Sequence, residues 1–142
     1  MDEPEAPQPG AGRADGTRPG RVTAAGTRAW LIVLSVVAVA VQFWGLYSPG
    51  SAVPSVPIVG VDKAVHALLF GVPVWLIGRL TGRYARVAVI FWIHAALSEF
   101  IQYRYIPTRD GDVFDLVADT VGILVAVWLL TTPVRSAGTG RK

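Results

Sequence analysis

Residues 29–47 read AWLIVLSVVAVAVQFWGLY, nineteen positions without a single charge. As a helix rising about 1.5 Å per residue, the run is long enough to cross a hydrocarbon core of roughly 30 Å. Trp30 stands at one end, with Trp44 and Tyr47 at the other, where aromatic side chains settle at a membrane–water boundary. A cleaved signal peptide fits poorly. The preceding stretch is long and carries acids, and the apolar run exceeds a usual h-region of about 7–15 residues. The segment is expected to be a retained signal anchor.

Outward from this run, residues 1–27 are rich in Gly, Pro, Ala and Arg and lack apolar periodicity, so a disordered tail is expected. On the other side, Pro49, Pro54 and Pro57 mark residues 48–61 as a loop. Three more apolar segments follow, at about residues 64–80, 85–105 and 113–131. Gly71 and Pro73 are candidates for a kink in the second, Pro133 ends the fourth, and a polar tail covers residues 133–142.

The whole chain agrees with this reading. Its 142 residues suffice for one domain, 52% are hydrophobic and only 16% are charged, against roughly 25% in soluble domains. The net charge of +3 comes from basic residues flanking apolar runs, which is a topology signal rather than a nucleic-acid footprint. No cysteine is present, which removes disulfides, thiolate nucleophiles and Cys-based metal sites.

Lysine and arginine set the expected orientation. With the N-terminus inside, the inner flanks hold Arg21, Arg28, Arg79, Arg83, Arg86, Arg135, Arg141 and Lys142, and the outer flanks only Lys63, Arg104 and Arg109. The expected fold is therefore all-α: a polytopic, compact four-transmembrane-helix bundle with both termini cytoplasmic. Residues 81–84 would form the inner loop, and residues 48–61 and 106–111 the outer ones.

Beyond the N-terminal tail, every acid lies between Asp62 and Asp119. Asp62, Lys63 and His66 open the second helix, Glu99 and Gln102 lie near the outer end of the third, and Arg109, Asp110, Asp112, Asp115 and Asp119 lead into the fourth. At about 100° per residue, Asp62, His66, Phe70 and Pro73 share a face, as do Ser98, Glu99 and Gln102, with His94 at the edge. Asp112, Asp115, Asp119 and Gly122 form a stripe on the fourth helix. Glu99 and Asp119 each lie roughly 10 Å below their helix ends, so neighbouring third and fourth helices would bring the two acids together.

Simpler roles are available for several of these residues. Asp112 and Asp115 suit an N-cap and a first-turn acid. Lys63 and Arg104 suit interfacial anchors. His94 suits a hydrogen-bonded packing role, and Ser98 can bond a carbonyl of its own helix. Glu99 and Asp119 resist such readings, since an acid in the hydrocarbon region costs about 2.5–3.5 kcal/mol on insertion scales. Arg109, Lys63 and His66 are the candidate partner cations.

Asp62-Lys63 with His66 and Phe70, Ser98-Glu99 with Gln102, then Arg109, Asp115 and Gly122 together resemble the VanZ-like family of bacterial membrane proteins, over about residues 30–132. The resemblance implies a four-helix domain of the bacterial plasma membrane and an association with low-level resistance to the glycopeptide teicoplanin. Asp119 departs from the pattern, which more often has Asn there. Ala126, four residues after Gly122, keeps a small-xxx-small seam for close helix packing.

Three functions compete. The first is a cell-envelope protein whose outer-leaflet site meets a polar or lipid-linked group, with membrane lipids and a lipid-linked cell-wall precursor as partners and no nucleic acid. Its site comprises Asp62, Lys63, His66, Glu99, Gln102, Arg109, Asp112, Asp115 and Asp119, with no cofactor and no resident metal expected. The second is a membrane-embedded enzyme acting on a lipid-linked substrate, with His66 and Glu99 as acid and base or with Asp, Glu and His around a divalent metal. No HExxH or GxSxG signature accompanies it. The third is a proton or cation path through Glu99, Asp119 and His94, but the inner helix halves lack matching polar groups.

Overall fold

The computed structural model describes residues 19–49, 60–106 and 112–132. Within them the chain is all helical: α1 (Pro19–Tyr47), α2 (Val61–Thr81), α3 (Tyr84–Tyr105) and α4 (Val113–Thr131). All four helices are long and apolar enough to cross a membrane. The expected loop at 48–61 and the expected tails fall largely outside the described residues, as do positions 107–111 with Arg109 and Asp110.

Two boundaries differ from expectation. A disordered tail was expected over residues 1–27, and α1 begins at Pro19, inside that stretch. Proline suits a first helical position, where its missing N–H has no partner to lose. The second helix starts at Val61 rather than near 64, with Gly60 at φ 86 turning the chain and the Ala64 N–H bonding the Gly60 carbonyl at 3.0 Å. Charge marks where an apolar run ends, but the helix continues past it, so Asp62 and Lys63 belong to the first turn of α2. That helix then runs unbroken through the buried Pro73.

The 82–83 turn is made possible by Gly82. It adopts φ 67, which a Cβ disfavours, and its N–H bonds the Gly78 carbonyl at 2.9 Å to close the end of α2.

α2 is the central helix and touches the other three, while α1 and α4 make no direct contact among the described residues. Its most extensive packing is against α4, and small residues are the reason. A Cβ on Gly122 would collide with the Ala67 carbonyl, and one on Gly71 would lie 2.9 Å from the Gly122 oxygen. The two backbones therefore meet directly. In lipid, where apolar burial does not drive helix association, such close approach supplies the van der Waals attraction. Gly122 and Ala126 both face this seam and are buried, as the small-residue spacing requires.

The core holds Leu46, Phe70, Val74, Val87, Ala95, Ile123 and Ala126. Phe70 packs edge-on to Phe91, with ring centroids 6.5 Å apart. The outer surface is apolar: Leu68, Ile90, Leu124 and Trp128 are all more than 60% exposed. A water-soluble monomer rarely shows so much contiguous hydrocarbon.

Candidate functional site

Contacts between helices bring the C-terminal ends of α1 and α3 beside the N-terminal ends of α2 and α4. This is the polar end of the bundle, and its chemistry begins with the start of α4. Asp112 is the N-cap, with extended backbone and Oδ1 accepting from the Phe114 N–H at 2.8 Å. Its other oxygen, Oδ2, accepts from Lys63 Nζ at 2.6 Å. The lysine bond and the Phe114 N–H hold the Asp112 carboxyl below the usual carboxylate range.

In a capping box the third residue of the helix reaches back to the N–H of the cap residue. Here that residue is Asp115, one methylene shorter than the Glu or Gln that usually closes the box. The role passes to another helix: Glu99 Oε2, on α3, accepts from the Asp112 N–H at 2.9 Å. Asp115 is thereby released to accept from Lys63 Nζ at 2.6 Å through Oδ1. Asp62 adds a third, longer contact to Lys63 at 3.2 Å and is itself mostly exposed. All three ammonium donors thus have carboxylate partners.

One turn deeper, His66 lies between two acids of α4. Its Nδ1 is 3.0 Å from Asp119 Oδ1, and its Nε2 is 3.7 Å from Asp115 Oδ2. Asp119 is fully buried, and its Oδ2 has no hydrogen-bond partner among the described residues; the same holds for Glu99 Oε1. His66, Glu99 and Asp115 each offer one ligand atom, and these atoms all lie within 4.8 Å of one another. Three helices contribute one such atom each, a donor set that could hold a metal ion or pass a proton.

Several expectations gain detail. Glu99 and Asp119 were expected at one depth on neighbouring helices; α3 and α4 do pack together, and each acid has its own partner, Glu99 the Asp112 N–H and Asp119 the His66 ring. Lys63, beyond an interfacial anchor, is the hub of the acidic cluster. Gln102 belongs less to the site than to the frame: its Nε2 donates at 3.0 Å to the Leu46 carbonyl in the last turn of α1, one of the carbonyls a helix end leaves unpaired. Arg109 lies outside the described residues.

Other expectations hold. His94 bonds the Tyr47 hydroxyl at 2.9 Å and stacks on Phe43, as a packing residue does. Ser98 donates to the Ala95 carbonyl of its own helix at 2.8 Å. One buried polar group escaped notice: Gln42 on α1 is fully buried, and neither amide atom has a partner among the described residues. Its signal was available, as the lone amide in the uncharged run 29–47.

Beneath the polar end, an apolar groove runs along the α2–α4 seam, lined by Ala67, Gly71, Trp75, Gly122 and Leu129. Its lining begins at Ala67, the residue after His66 in α2, and the groove is open to the surroundings of the bundle. Comparison with protein-family models, with characterised proteins and with solved structures returns no match for this chain.

Proposed function

We propose that this chain is a multi-pass cell-envelope protein of the VanZ-like type in the bacterial plasma membrane, with both termini cytoplasmic. Its polar end lies in the outer leaflet and recognises the headgroup of a lipid-linked, anionic molecule, so that the protein alters susceptibility to glycopeptides such as teicoplanin. One observation carries the reading: the ordered Lys63 and His66 contacts lie in the turns of α2 just before Ala67, where the lining of the apolar groove begins. Headgroup and chain of one amphiphile would be served together. An incoming phosphate can replace Asp62, the most distant and most exposed of the three partners of Lys63. Asp112 and Asp115 keep the ammonium in place while it does so.

A second reading, acid–base catalysis on the same lipid-linked substrate, is favoured by the carboxylate-oriented imidazole of the His66–Asp119 pair. The two separate on turnover, which recognition alone does not produce.

The test is binding of a polyprenyl phosphate to the purified full chain in nanodiscs, read by native mass spectrometry against phosphatidylcholine. Wild type should retain the phosphate lipid selectively, and Lys63→Gln should weaken retention by about tenfold or more, the effect of roughly 1.4 kcal/mol. Equal retention of the two lipids would refute headgroup recognition.

A further inference from the structure

We infer that His66, Glu99 and Asp115 form a binding site for one divalent transition-metal ion at the polar end of the bundle. The inference rests on the headgroup-recognition reading for its purpose, since a bound dication would bridge to the phosphate.

The geometry of His66 comes first. His66 Nδ1 lies 3.0 Å from Asp119 Oδ1, and a neutral imidazole that donates Nδ1–H to this carboxylate leaves its Nε2 lone pair free. That nitrogen faces Asp115 Oδ2, 3.7 Å away. A carboxylate behind a histidine and an open nitrogen in front is the arrangement that orients metal-ligating imidazoles.

The carboxylates complete the set without disturbing their other bonds. Asp115 gives Oδ1 to Lys63 and keeps Oδ2 for the ion. Glu99 gives Oε2 to the Asp112 N–H, while Oε1 is buried and has no partner among the described residues. A buried carboxylate oxygen left without a donor calls for an explanation, and a cation supplies one. One ligand atom from each of the three residues lies within 4.8 Å of the other two, and bonds of about 2.0–2.2 Å would draw such a set together by side-chain rotation.

Charge points the same way. Among the described residues Lys63 contacts Asp62, Asp112 and Asp115, while Glu99 bonds the Asp112 N–H and Asp119 bonds His66, so five acids gather about one lysine and one histidine. Unbalanced carboxylates next to hydrocarbon are costly, and a dication offsets two of them. The mixed nitrogen and oxygen donors suit Mn2+ or Zn2+. Ca2+, which takes about six to eight oxygens, does not fit. Positions not filled by the protein remain open to a phosphate oxygen.

The experiment uses tag-free full-length protein in phosphatidylcholine nanodiscs, stripped with chelator and titrated with Mn2+ or Zn2+ alone. One ion per chain is expected, and bound Mn2+ should show electron-spin-echo coupling to an imidazole nitrogen. Asp119→Asn should weaken binding about 10–100-fold through the orienting bond. His66→Asn should abolish it, and His94→Gln, at the other histidine, should leave it intact. No saturable binding to wild type, no nitrogen coupling, or undiminished binding by His66→Asn overturns the site. Should His66→Asn fail to fold, the nitrogen coupling in wild type still decides. Adding polyprenyl phosphate separates the two readings. Metal binding that ignores the lipid sinks headgroup recognition and upholds the metal site, whereas phosphate-lipid binding by a chain that takes no metal does the reverse.

Discussion

The backbone N–H of Asp112 donates to the Glu99 carboxylate at 2.9 Å, so an acid on α3 completes the cap of α4. This bond ties structure to site. It orders the start of α4, frees Asp115 for Lys63, and fixes one Glu99 oxygen while the other has no partner among the described residues. Glu99 is thus required by a helix start after all, though not by its own helix.

Glu99→Gln separates these roles. A glutamine carbonyl can still accept from the Asp112 N–H, so membrane abundance should match wild type, while the lost charge should abolish altered glycopeptide susceptibility. Glu99→Ala leaves the N–H unpaired and should also lower abundance, since such a group costs about 1–3 kcal/mol. Quantitative immunoblotting beside susceptibility testing reads both. A fall in abundance of Glu99→Gln in step with the phenotype would make the residue purely structural.

Asp112 and Asp115 should differ in the opposite sense to their exposure. Asp112→Asn keeps a competent cap and should be mild. Asp115→Asn loses a charge-assisted bond to Lys63 at a largely buried position and should destabilise by about 1.5–3 kcal/mol. The Asp112 carboxyl is held low in the folded state, so its contribution is present above the unfolded pKa and is lost as pH falls through the folded one. Thermal melts in nanodiscs across acid pH should show that loss in wild type and a reduced one in Asp112→Asn. Identical acid profiles would remove the Lys63 bond from the account.

Gly122→Ala places a methyl group on the Ala67 carbonyl and must push α2 from α4. Overpacking of this kind costs about 1–3 kcal/mol, and detergent melts should fall accordingly. Gly26→Ala, with nothing within 4 Å of the added methyl, should leave the melt unchanged. Equal tolerance of both changes would show that the seam is looser than the backbone contact implies.

Reporter fusions after residues 55 and 110 should read as external, and those after residues 82 and 140 as cytoplasmic. An external signal at 82 would put the polar end in the inner leaflet and end the outer-leaflet reading.

Four apolar runs, their order, the gathering of acids at alternate ends and the small residues at Gly122 and Ala126 were all legible in the residue string. Bilayer thickness and helical periodicity are local, one-dimensional constraints, and hydropathy reports them directly. The N-cap at Asp112 was legible for the same reason, being a rule about neighbours in sequence. Partnership was not. That Lys63 takes Asp112 and Asp115, that His66 takes Asp119, that Gln102 serves α1 and that Glu99 caps α4 all depend on which helices adjoin and at what height. Those depend in turn on the backbone contact of Gly122 with Ala67, which sets the register of α4 against α2. Only tertiary packing brings Lys63 and Asp112, 49 residues apart, within a hydrogen bond of each other.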